Sequence, residues 1–133
     1  MDYSVDLEVP KSTTAWDPAE LRVRLTKGLI IGVRVGFPDG CADLLHCVIV
    51  RGIHQVWPTN PDGNYHWNDY VFEIRSEYPL EDYPLDMIIR AWNDDARNPH
   101  TVTVGFNLLP LEPTVLSKFV QAVLGRPTRW RGV

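Results

Sequence analysis

The chain has 133 residues, 44% of them apolar and 23% charged, which suits one globular domain with its own core and excludes a disordered chain. Its net charge is −4, yet residues 114–133 carry Lys118, Arg126, Arg129 and Arg131 with no acid, leaving −8 on residues 1–113. An acidic body of this kind argues against nucleic acid as a partner.

Eleven prolines and nine glycines punctuate the chain, which favours many short strands over long helices. In "YSVDLEV" Tyr3, Val5, Leu7 and Val9 share one face while Ser4, Asp6 and Glu8 share the other, the period of a half-buried strand. "DPAELRVRL" opens as a helix would, with Asp17, Pro18 and Glu20 at capping positions. Leu21, Val23 and Leu25 then alternate strictly with Arg22, Arg24 and Thr26, and the segment is read as a strand. "IIGVRVGF" is expected to turn Ile31, Val33, Val35 and Phe37 inward. "LLHCVIV" (44–50) is apolar on both faces, as a central strand is. "YVFEIRS" (70–76), "LDMIIRAW" (85–92) and "TVTVGFNL" (101–108) complete seven or eight strands, with Val102, Val104, Phe106 and Leu108 on the inner face of the last.

The period changes only after Pro113. In "PTVLSKFVQAVLGRP" Leu116, Phe119, Val120, Val123 and Leu124 form a helical stripe, with Thr114 as cap, Gly125 as stop and Pro127 barring continuation. A helix of about eleven residues is marginal alone in water, so the stripe must dock on something. The expected organisation is a sandwich over 1–112 and an amphipathic helix with a basic tail over 113–133.

"RAWNDDARNPHTVTV" (90–104) places Asn93, Asp94, Asp95, Asn98 and His100 between two strands. Asn, Asp and Pro supply turn chemistry, so the segment is expected to connect a hairpin. The functional alternative is a calcium site from Asn93 and Asp95, with Asp39 and Asp43 of another loop. His46, His54, His66 and His100 show no metal-ligand spacing. His46 and Cys47 are neighbours on one strand and point to opposite faces, so neither metal nor cofactor is expected. Cys41 and Cys47 are read as free, partly buried thiols. There is no nucleophile elbow and no phosphate-binding glycine loop, so no catalytic residue is assigned and an enzyme is not expected. Trp57, Tyr65, Trp67 and Tyr70 crowd "QVWPTNPDGNYHWNDY"; they are candidates for core lids, interface anchors or a carbohydrate platform. Trp130, between Arg129 and Arg131, raises the same question. No apolar run approaches the roughly 18 residues of a membrane span, and "MDYSVDLEVP" does not read as a signal peptide, so no membrane partner is expected.

Three resemblances follow. "LTKGLIIGVRVGFPDGCADLLHCVIVRGIHQVWPTNPDG" and "YPLDMIIRAWNDDARNPHTVTVGFNLLP" resemble small β-sandwich structural proteins of tailed phages and prophages, over most of residues 2–110. That resemblance implies a virion component, a capsid or tail accessory subunit assembled in the host cytoplasm. "HWNDYVFEI" with "LDMIIRAWNDD", then "VGFNLLP" with "LSKFVQAVLGRP", is similar to C2 domains and their B9-type relatives, with Asn93 where a calcium-binding Asp is expected. It implies a binding module for a protein or membrane. "LLHCVIVRG", "YVFEIRSEYPLEDYP" and "EPTVLSKFVQAVL" resemble the ubiquitin-conjugating fold; no cysteine follows "NPH", so this implies an inactive relative.

The expectation is therefore an all-β, jelly-roll-like antiparallel sandwich with one short C-terminal helix. It is expected to act as a non-enzymatic, homo-oligomeric virion subunit, binding itself or other virion proteins. The interface would be the stripe Leu116, Phe119, Val120, Val123 and Leu124 with the tail Lys118, Arg126, Arg129, Trp130 and Arg131. Burying the five apolar side chains, at ~1.5–3 kcal/mol each, would outweigh surface charge pairs at ~0–1 kcal/mol.

Overall fold

The computed structural model describes residues 1–111 together with 115, 116, 118 and 121. Nine strands occur among them: β1 (Asp2–Val9), β2 (Ala19–Arg24), β3 (Gly28–Phe37), β4 (Leu45–Arg51), β5 (His54–Trp57), β6 (Tyr65–His66), β7 (Tyr70–Leu80), β8 (Asp86–Asn93) and β9 (His100–Leu109). They form two antiparallel sheets, β1-β9-β3-β7 and β2-β8-β4-β5, with β6 also paired to β4. β5 pairs with the far end of β4 and β6 with its near end, in one direction. The two are pieces of a single strand position, interrupted by the loop 58–64. Gln55 Nε2 stitches that loop, donating to the carbonyls of Pro58, Asn60 and Gly63.

Counted this way the sheets have four strand positions each, in the interlocked order of a jelly roll. The chain changes sheet at every connection except those joining β4, β5 and β6. The alternating residues explain why the two sheets close on each other. Val9, Val23, Val33, Val35, Phe37, Cys47, Ile49, Met87, Ile89, Val102, Val104, Phe106 and Leu108 fill the interior between them, while Asp2, Asp6 and Glu8 of β1 and Thr103 and Asn107 of β9 face out.

Two expectations need correction. In β3 it is Ile30 that is fully buried, while Ile31 is 36% exposed. The ladder with β9 shifts between Ile30 and Gly32, so Ile31 is an extra residue opposite none. Such a bulge moves everything before it to the other face, and alternation alone does not reveal it. Further along, β8 and β9 are not a hairpin. β8 pairs with β2 and β4, β9 with β1 and β3, and the segment between them crosses from one sheet to the other.

One glycine position is dictated by close approach. The Arg34 side chain lies across Gly105, where a Cβ would sit 2.4 Å from its Nη2, to reach Asp2 Oδ1 at 2.8 Å. A larger residue at 105 would block that bridge across three strands.

The expected helix lies almost wholly outside the described residues, as does the boundary at 112/113. Val115, Leu116, Lys118 and Gln121 have helical backbone, and Leu116 is buried. Among the described residues no helix is long and apolar enough to cross a membrane.

Candidate functional site

The segment 93–100 is built from its own polar groups. Asn93, the last residue of β8, is fully buried. Its Nδ2 donates to the carbonyls of Asn98 at 2.9 Å and Val9 at 3.4 Å, and its Oδ1 accepts from the Asp95 amide at 3.0 Å. Its own amide donates to Thr13 Oγ1. Asp95 Oδ1 accepts from the amides of Arg97 and Asn98, and its Oδ2 accepts from His100 Nε2 at 2.8 Å. The Arg97 amide first, then the His100 ring, hold the Asp95 carboxyl below the usual carboxylate range. This is the turn chemistry foreseen for Asn and Asp, applied to an inter-sheet crossover that also ties down the end of β1.

The carboxylates considered for calcium are spent on separate partners. Asp95 is taken by the amides of Arg97 and Asn98 and by His100, Asp43 Oδ1 lies 2.5 Å from His66 Nδ1, and Asp39 Oδ1 accepts from Asn68, while the neighbouring Asp94 Oδ2 lies 3.0 Å from His46 Nε2. Among the described residues no group of three or more His, Cys, Asp or Glu side chains is arranged to hold a metal ion.

The aromatic segment divides in two. Trp57 is 4% exposed, 5.3 Å from the Tyr78 ring and 6.3 Å from Phe106, a core lid. Tyr65 packs on the core against Phe72 at 5.3 Å. Trp67 and Tyr70, by contrast, are 55% and 50% exposed and lie 6.4 Å apart, beside the β3–β4 turn that Asn68 fastens through the amides of Gly40 and Ala42. Only this second pair is available to a partner.

Three features escaped the sequence. His46 and His66 are register partners on β4 and β6, with ring centroids 5.2 Å apart, and His46 stacks on Trp92 at 5.3 Å. Nothing in the chain announces a two-residue strand, so this pairing had no signal. Asp86 is buried between Arg22 and Arg24, at 3.1 and 3.2 Å, and the Arg22 hydrogen bond leads in holding its carboxyl below the usual range. The third is a groove of about 810 Å³ with Trp57 and Tyr78 among its lining residues, flanked by Ile53 (92% exposed) and Tyr83 (78% exposed). Arg51 anchors it by donating to Tyr78 Oη and to the carbonyls of Pro84 and Asp82. An apolar residue between Gly52 and His54 at a strand junction was a readable hint.

Both cysteines are buried and unpaired, and burial pushes the Cys47 thiol up to about 12. Of the expected interface, Leu116 is buried and Lys118 exposed. Phe119, Val120, Val123, Leu124, Arg126, Arg129, Trp130 and Arg131 lie outside the described residues. Compared with known proteins, the sequence matches no family model and no curated protein.

Proposed function

We propose that this chain is a non-enzymatic structural subunit that works by assembly, a capsid or tail accessory component of a phage virion. The observation that carries the reading is the jelly-roll strand order, an architecture that viral capsid domains use repeatedly. Two features support it. The ionisable groups at 93–100 and around Asp86 are consumed in fastening loops and strands, and the basic, apolar-striped segment 114–133 complements a body of opposite charge. In this reading the stripe supplies affinity and the charges set orientation and salt dependence. A second reading, a binding module for another protein, rests on the groove between exposed Ile53 and Tyr83.

Sedimentation of the full chain beside a version ending at Pro113 tests the proposal, with circular dichroism confirming that both fold. A discrete oligomer whose mass falls on truncation supports assembly through the tail. Two monomers of unchanged fold overturn it and move the search to the Ile53–Tyr83 groove.

A further inference from the structure

Four strands stand at the edges of the two sheets, and three of them are guarded. β1 presents Asp2, Asp6 and Glu8 on its outer face, so a second β1 laid against it would meet only like charge. β2 has its charges engaged within the chain, Arg22 and Arg24 on Asp86 and Glu20 on Arg90. β5 is four residues long. β7 differs in every respect. It runs for eleven residues, is paired among the described residues with β3 alone, and has Tyr70 and Val71 half exposed at its start. Its outer face reads Val71, Glu73, Arg75, Glu77, alternating in sign, and among the described residues none of these charges forms an ion pair. Glu73 is the register partner of Arg34, but the Arg34 guanidinium turns to Asp2, and Arg75 faces Gly32.

We propose that the free edge of β7 is a self-association surface, on which a second copy of this chain adds its own β7 antiparallel in the register that sets Ile74 opposite Ile74. Charge and the bulge in β7 together select this register. A pairing centred on Ser76 would also set Arg75 opposite Glu77 twice, but it would put the bulged residues Ser76 and Glu77 at its axis. Side chains opposite each other must lie on the same sheet face, so inner residues pair with inner and outer with outer. Centring on Glu73 or on Arg75 opposes a like pair at the axis. Centring on Ile74 puts Glu73 of each copy opposite Arg75 of the other, twice over by symmetry. The ladder then spans Phe72 to Ser76 on both copies, and Phe72 and Ile74, partly buried in the free chain, become covered. The bulge facing Ile31 and the Pro79 that follows limit it at one end, which keeps the contact a closed pair. The inference deepens the assembly reading by naming a surface independent of residues 114–133.

The test is charge complementation in the full chain. Arg75→Glu makes the edge wholly acidic at 73 and 75, and Glu73→Lys makes it wholly basic. Each variant alone is expected to self-associate at least about tenfold more weakly than the parent, since two opposed pairs turn repulsive. Mixed together, they should form a one-to-one dimer by light scattering. Should Glu73→Lys fold poorly beside Arg34, Arg75→Glu alone decides, because its register partner on β3 is Gly32, which carries no side chain. Parent and variants with the same oligomeric mass would overturn this edge while leaving assembly through another surface standing, as would two monomeric variants that fail to pair when mixed. A parent monomeric throughout the micromolar range would overturn both this edge and the assembly reading.

Discussion

Replacing Asn93 by alanine should be among the most damaging polar substitutions in this chain. The amide is fully buried and makes three side-chain hydrogen bonds, to the carbonyls of Asn98 and Val9 and from the amide of Asp95. Each is worth about 0.5–1.5 kcal/mol net, and each leaves a main-chain group without its partner when removed. The 3.4 Å bond to Val9 is the weakest, so the total falls at about 2–4 kcal/mol. For a chain of this size that corresponds to a fall in Tm of roughly 6–15 °C. Thermal unfolding followed by circular dichroism, with urea titration beside it, measures the loss. The m-value should stay constant, because the unfolded surface is unchanged. A fall below about 2 °C would refute the reasoning, since the segment would then hold without its buried amide.

Two further outcomes follow from the same geometry. Asp86 and Asp95 both have folded-state pKa values below the ordinary carboxylate value, held there mainly by Arg22 and by the Arg97 amide respectively. A lowered folded pKa gives stability that is complete above the unfolded value, about 3.9, and is lost as pH falls through the folded one. The Tm should therefore be level from neutral pH to about 5 and drop below about 4, and Asp86→Asn should flatten that drop; an unchanged acid limb in the variant contradicts the assignment. Cys47, fully buried with its thiol pushed up to about 12, should resist a thiol-specific reagent in the native protein and react fully only in denaturant, so rapid native labelling at 47 would contradict its placement.

How much was legible depends on whether the information was local. β1, β2 and β9 show their inner faces by strict alternation, and the structure places Val9, Val23, Leu25, Val102, Val104, Phe106 and Leu108 where that pattern puts them. The choice of strand over helix at Ala19–Arg24 was likewise local, because capping residues do not sustain a helix whose apolar residues alternate. Ile31 failed because a bulge is a property of the ladder with β9, not of β3 alone. The supposed β8–β9 hairpin failed for the same reason: Asn and Asp specify a turn, while the sheet each strand joins is decided by β2 and β4 on one side and β1 and β3 on the other. The four crowded aromatics could not be sorted in the sequence, since Trp57 becomes a lid through Tyr78 and Phe106 on strands distant in the chain, while Trp67, just after β6, stays exposed.

The central claim, that this sandwich functions through assembly, is tested most directly by the native mass of the full chain measured by light scattering across the micromolar range. The account predicts a discrete oligomer whose population rises with concentration and weakens with salt. A single monomeric species across the whole range would contradict it.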